Sequence, residues 1–128
     1  MVDHTIIHFE IPANDVEKIK KFYSDLFDWK IEKLGGMEYY SVTTVPMDEK
    51  GNLLRPGVNG GLYKKEQPMQ QPVNYIYVES VDEYAKKVTA LGGKIVVPKM
   101  EVTGMGWFAL AQDPEGNTFG IFEVKPMG

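Results

Sequence analysis

Residues 5–11, TIIHFEI, alternate with a period of two. Ile7, Phe9 and Ile11 fall on one face of a strand, and Ile6, His8 and Glu10 on the other. Its β-branched and aromatic content supports a strand, which Pro12 is expected to end. The period then becomes helical. Val16, Ile19, Phe22, Tyr23 and Leu26 recur at three- and four-residue spacing, which predicts a helix with that face buried. Asn14 followed by Glu17 predicts a capping box at its start. WKIEKL, MEYYSVTTV and GVNGGLYKK read as three more strands, with PMDEKGNLLRPG as the loop between the last two.

KEQPMQQP is polar and punctuated by proline, so it reads as a linker. After it the pattern restarts. VNYIYVES predicts a strand, and Ser80 with Glu83 a second capping box. Val81, Tyr84, Val88 and Leu91 form a helical stripe that Gly92-Gly93 ends. KIVVPKM, GWFALAQ and NTFGIFEV follow as strands, the last two joined by the turn DPEGN. Both halves are therefore strand, helix and three strands. Val16 aligns with Val81 at an offset of 65, which places His8 on Val73 and Glu10 on Tyr75. Near the end of each half the offset is 59, with Gly61 on Gly120 and Tyr63 on Phe122.

The expected fold is α+β: one domain over 1–128 made of two βαβββ modules, about 4–64 and 73–125, joined by a linker at about 65–72. Their sheets are expected to be mostly antiparallel and to curve into a cup with the helices outside. Parity assigns His8, Glu10, Tyr63, Tyr75, Tyr77 and Phe122 to the cup wall, together with Val73, Thr118 and Gly120. Concave apolar surfaces with a few polar groups are typical ligand sites.

Composition narrows the chemistry. The 128 residues carry a net charge of -4, which disfavours nucleic acid as a partner. There is no cysteine, so disulfides, thiolate metal sites and cysteine nucleophiles are excluded. No apolar run reaches the ~20 residues of a membrane helix. MVDHT lacks a basic region followed by an apolar one, so no signal peptide is expected. A cytoplasmic protein without membrane partners is the expectation.

HFEIPANDVEKIKKFYSDLFDWKI, ESVDEYAKKVTALGGKIV and GWFALAQDPEGNTFGIFE together resemble the glyoxalase / bleomycin-resistance / extradiol-dioxygenase superfamily, also called vicinal oxygen chelate proteins. The resemblance covers almost the whole chain. FYxxLFxW and the DPEGN turn before an aromatic-glycine-aliphatic strand are its most specific parts. It implies paired βαβββ units, frequent homodimers and, in many members, a divalent metal in the cup. The implied ligand positions are His8, Gly61, Val73 and Gly120, of which only His8 carries a donor side chain. One imidazole does not replace the hydration shell of a divalent ion. Glu10 lies roughly 6–7 Å from His8 along a strand, and His4 about 13 Å away. No metal and no other cofactor are therefore expected, and His8 reads as an isolated imidazole.

The serines offer no hydrolase arrangement: Ser24 is inside a helix, Ser80 is a cap and Ser41 lacks a nucleophile elbow. Gly60-Gly61 is not part of a phosphate loop. A His8–Glu10 acid/base pair is one open reading. The leading expectation is a metal-free protein of this superfamily that binds a small organic molecule in its aromatic cup. A metal-dependent lyase, isomerase or dioxygenase of the same fold is the rival. A dimerising scaffold or regulatory module is the third reading.

Overall fold

The computed structural model describes residues 2–36 and 38–126. Its elements are β1 (Ile6–Ala13), α1 (Val16–Phe27), β2 (Lys30–Lys33), β3 (Tyr39–Thr43), β4 (Gly60–Lys64), β5 (Val73–Tyr77), α2 (Val81–Ala90), β6 (Lys94–Val102), β7 (Gly106–Gln112) and β8 (Thr118–Val124). The fold is α+β, and strand, helix and three strands occur twice. Met37, read above as the start of the third strand, lies outside the described residues. The chain divides into two compact units: His8–Pro72, here the first, and Met1–Ile7 with Val73–Gly128, the second.

In the first unit the strand order is β2-β3-β4-β1. β1 runs parallel to β4, and the other pairs are antiparallel. The register sets Phe9 beside Gly60, Glu10 beside Gly61 and Ile11 beside Leu62. Alternation then separates two faces. One turns Ala13, Tyr40, Val42 and Leu62 toward Val16 of α1, with Phe9, Ile11, Ile19, Tyr23 and Trp29 packed around them. Leu62 is 1% exposed, and burying such a side chain stabilises by about 1.5–3 kcal/mol. The other face carries Glu10, Gly61, Tyr63, Tyr39 and His8.

Three local expectations change here. β1 continues through Pro12 to Ala13. The backbone carbonyl of Ala13 accepts from Lys65 N at 2.8 Å. Residues of a strand address opposite neighbours in turn, so the missing N–H of Pro12 points away from β4 and costs that ladder nothing. The cap of α1 is Asp15, not Asn14: its carboxylate accepts from Lys18 N at 3.1 Å. Phe22 and Leu26 are exposed. The stripe that packs is Val16, Ile19 and Tyr23; Phe22 stands about 100° round the helix from Tyr23, and Leu26 lies on the Phe22 side.

The second unit orders its strands β5-β8-β7-β6, with β5 parallel to β8 and the others antiparallel. Its core is Val78, Val81, Ala109 and Ile121, packed by Tyr84, Trp107 and Phe119. Ser80 caps α2 by accepting from Glu83 N at 3.1 Å, the capping role read from the sequence. The helix ends with Gly93 N donating to the Val88 carbonyl at 2.9 Å and Gly92 N to that of Thr89 at 3.3 Å. Gly92 takes φ +97°, the left-handed residue that this ending requires. Leu91 falls at the cap and is 81% exposed, so it leaves the expected stripe.

The registers establish the repeat. Glu10 pairs with Gly61 in one unit and Tyr75 with Gly120 in the other, and Ile11–Leu62 corresponds to Ile76–Ile121. These are the pairings that offsets of 65 and 59 require.

Candidate functional site

The open face of the first unit's sheet gathers a polar cluster. Tyr39 Oη donates to Glu10 Oε2 at 2.7 Å. His8 Nε2 lies 3.0 Å from Tyr39 Oη and 3.3 Å from Glu10 Oε2. One proton arrangement satisfies all three contacts: an ionised Glu10, a phenol donating to it, and an Nε2–H tautomer of His8 donating to both oxygens. His8 and Glu10 side chains are 31% and 21% exposed, so a ligand can reach them while water is partly excluded. Tyr63 sits on the same face, one strand from Tyr39. Burial holds its phenol above the ordinary range, and the charges of Glu10 and Glu66 add to this, so it stays a protonated donor at neutral pH.

His8 is thus not an isolated imidazole. Side chains two residues apart on a strand lean together here because Tyr39 bridges them. Sequence reading missed Tyr39. Alternation in EYYSV puts it on the face of Ser41, but only the pairing of Ser41 with Gly61 shows that this face also holds Glu10.

Glycine makes the cluster possible. A Cβ on Gly61 would stand 1.9 Å from Tyr39 Oη, so the phenol occupies the space a side chain would need. In the second unit a Cβ on Gly120 would stand 2.2 Å from the Tyr75 ring. Tyr75 is buried and meets Phe108 edge-on, with ring centroids 6.0 Å apart. Tyr77 and Phe122 are half-buried and pair across β5 and β8. Of the six residues expected on a ligand wall, His8, Glu10 and Tyr63 share the first unit's open face. Tyr75, Tyr77 and Phe122 belong to the second unit.

His4 joins a separate cluster in the second unit, with Nε2 3.0 Å from both Glu79 Oε1 and Tyr84 Oη. The His4 contact holds the Glu79 carboxyl below its usual range. An open hollow of about 710 Å³ lies at the other end of β1, lined by Asn14, Asp15, Glu17, Glu38, Tyr40 and Lys64. Tyr40 Oη donates to Glu17 there at 3.2 Å.

A model of the glyoxalase/bleomycin resistance protein/dioxygenase superfamily matches residues 5–121. The chain belongs to this superfamily. A glyoxylase-like domain-containing protein of Didymella fabae is 33% identical over 121 residues, 88% of each chain. The Mycobacterium tuberculosis protein CFP32 is 27% identical over 123 residues, which are 91% of this chain and 44% of CFP32. The chain spans about half the length of the bacterial curated relatives it matches. Methylmalonyl-CoA epimerase from Mycobacterium tuberculosis superposes with a TM-score of 0.66 at 13% identity, covering 94% of this chain and 88% of that one. At that identity the likeness is one of fold alone.

Superfamily membership raises the question of a divalent metal, and the residues do not fit one. The implied ligand positions in the first unit are His8 and Gly61, and in the second Val73 and Gly120. Val73 is buried and apolar, and the space at both glycines is filled by tyrosine rings. Among the described residues no three His, Asp or Glu side chains gather. His8 and Glu10 are two donors where zinc and iron sites use three protein ligands. Among the described residues, also, no helix is long and apolar enough to cross a membrane.

Proposed function

We propose that this superfamily member binds a small organic molecule without a metal ion, on the open sheet face that carries His8, Glu10, Tyr39 and Tyr63. The observation that supports this most is the Tyr39 phenol, seated over Gly61 and held by Glu10 at 2.7 Å and His8 at 3.0 Å. The cluster offers an acceptor carboxylate, a phenol and an imidazole within one hydrogen-bonding reach, partly shielded from water. A carbonyl or hydroxyl ligand could take a hydrogen bond from Tyr39 or His8 while Glu10 accepts one. The same trio could move a proton, with Glu10 as base and Tyr39 as the donor that stabilises developing negative charge.

Two measurements test the reading. Elemental analysis of protein purified without chelator should find no stoichiometric divalent metal. Zinc, nickel, manganese or iron near one per chain, lost in His8→Ala, would overturn the metal-free part. A thermal-shift screen of small carbonyl and hydroxyl compounds should yield binders that raise Tm by mass action. Tyr39→Phe should weaken them about tenfold, the order expected from one hydrogen bond to a charged network. Binders indifferent to Tyr39→Phe, His8→Ala and Glu10→Gln would remove the site from this face.

A further inference from the structure

The two units share a turn that exposes an insertion. DEKGN (48–52) and DPEGN (113–117) are 65 apart and fold alike. Asp48 Oδ1 accepts from Lys50 N and Asn52 N, each at 2.9 Å. Asp113 Oδ1 accepts from Glu115 N and Asn117 N, each at 2.9 Å. Gly51 and Gly116 take φ +85° and +87°. Past the turn the correspondence slips. β8 begins directly after Asn117, whereas β4 begins at Gly60, and the offset falls from 65 to 59. The difference of six places the extra residues at 53–58, Leu-Leu-Arg-Pro-Gly-Val.

This insertion is built, not slack. Leu53 bridges Met47, and Leu54 N donates to the Pro46 carbonyl at 3.0 Å. Asn59 Oδ1 accepts from Thr44 N at 2.7 Å and Val45 N at 2.9 Å, and its amide donates to the Val45 carbonyl at 3.0 Å. Gly57 lies against buried Val45 so closely that a Cβ there would come within 2.0 Å of Val45 Cγ2. This fixed loop nevertheless turns Met47, Leu53 and Leu54 outward, at 47%, 43% and 61% exposure. Among them stands Arg55, the one arginine in a chain whose other 13 cationic side chains are lysines. Arg55 is exposed and makes no hydrogen bond or ion pair among the described residues.

We propose that the 53–58 insertion is an anion-recognising lip of the ligand site: Arg55 takes the carboxylate or phosphoryl oxygens of a small molecule whose apolar body lies on Leu53, Leu54 and Met47. The inference rests on the small-molecule reading above and names its ligand class. Position supports it, because β4 enters the sheet at Gly60 opposite Phe9, the neighbour of His8. The loop therefore leaves the sheet at the His8 end of β1. Chemistry supports it because guanidinium matches a planar oxyanion with two parallel donors, which lysine does not. A net charge of -4 disfavours diffuse anion binding, so selectivity must come from a local cation.

The test compares 4-hydroxyphenylacetate, whose ring hydroxyl can reach Tyr39, with 4-hydroxyphenylacetamide by calorimetry at low and high salt, on the intact chain. The acid should bind about tenfold more tightly than the amide, and the preference should shrink with added salt. Arg55→Gln should weaken the acid far more than the amide and so erase the preference, and Arg55→Lys should restore only part of it. Tyr39→Phe should weaken both probes. Equal binding of the two, unchanged by Arg55→Gln but weakened by Tyr39→Phe, would overturn the lip and leave the site. Binding of neither probe to the wild type would overturn the lip and count against the site. An Arg55→Gln protein that changes its sedimentation coefficient without changing probe affinity would assign the loop to contact between copies instead.

Discussion

The two units place different chemistry on the same four register positions. In the first, β1, β3 and β4 present His8, Glu10, Tyr39 and Tyr63. In the second, the counterparts on β5, β7 and β8 are Val73, Tyr75, Phe108 and Phe122. Glu10 and Tyr39 meet through a hydrogen bond of 2.7 Å; their counterparts Tyr75 and Phe108 meet as an edge-on aromatic pair. Each unit has a glycine beneath the contact, Gly61 or Gly120. The backbone thus sets where two side chains converge, and the side chains decide whether the place is a polar site or a piece of core.

The comparison is tested most strongly at the glycines. Gly120→Ala should destabilise the protein by about 3 kcal/mol, because the new methyl meets the root of a buried ring, with Tyr75 Cγ at 2.8 Å. Gly61→Ala should cost about 1 kcal/mol, since it meets only the far end of Tyr39, which can swing away. Urea denaturation reads both, and the reverse ranking would mean that the first unit holds its phenol as rigidly as the second holds its ring.

A double-mutant cycle refines the contrast. Glu10→Gln with Tyr39→Phe should show a coupling of about 1 kcal/mol, reduced from the value for a fully buried charged hydrogen bond by partial exposure. Tyr75→Ala with Phe108→Ala should show about 0.5–1.5 kcal/mol from ring geometry. No coupling in the first cycle would reduce its polar cluster to neighbouring surface groups.

The smallest effect is one in which the units agree. Backbone and side-chain donors hold Asp48 and Asp113 below the usual carboxyl range: Asn52 backbone N–H leads for the first, and the Asn117 side chain for the second. A depressed folded value means that the charged form stabilises the turn. That contribution is complete above the unfolded value near 3.8 and is lost as pH falls through the lower folded values. Tm should therefore drop on the acid side of about pH 4, and Asp113→Asn should flatten that limb. An unchanged acid limb in both Asp48→Asn and Asp113→Asn would show that the turns carry no linkage.

Much of this was readable in the sequence, because periodicity reports faces. His8 and Glu10 on one side of β1, Phe9 and Ile11 on the other, and the two offsets all follow from alternation. Tyr39 was not readable, since its role depends on which strands lie side by side, and alternation says nothing about neighbours. Phe22, Leu26 and Leu91 misled for a related reason: helical spacing marks an apolar side without showing how wide a stripe the sheet covers. Pro12 was read as a stop because the direction of its absent N–H depends on register.

The closure of the 53–58 loop has a consequence for engineering. Its two ends are pinned before it begins, by the Asp48 turn on one side and the Asn59 amide on the other. The six residues therefore behave as a cassette. Joining Asn52 directly to Asn59 would copy the Asn117–Thr118 junction that the second unit already uses. Segments of other length and charge could be exchanged between the same two anchors while the sheet keeps its pairing.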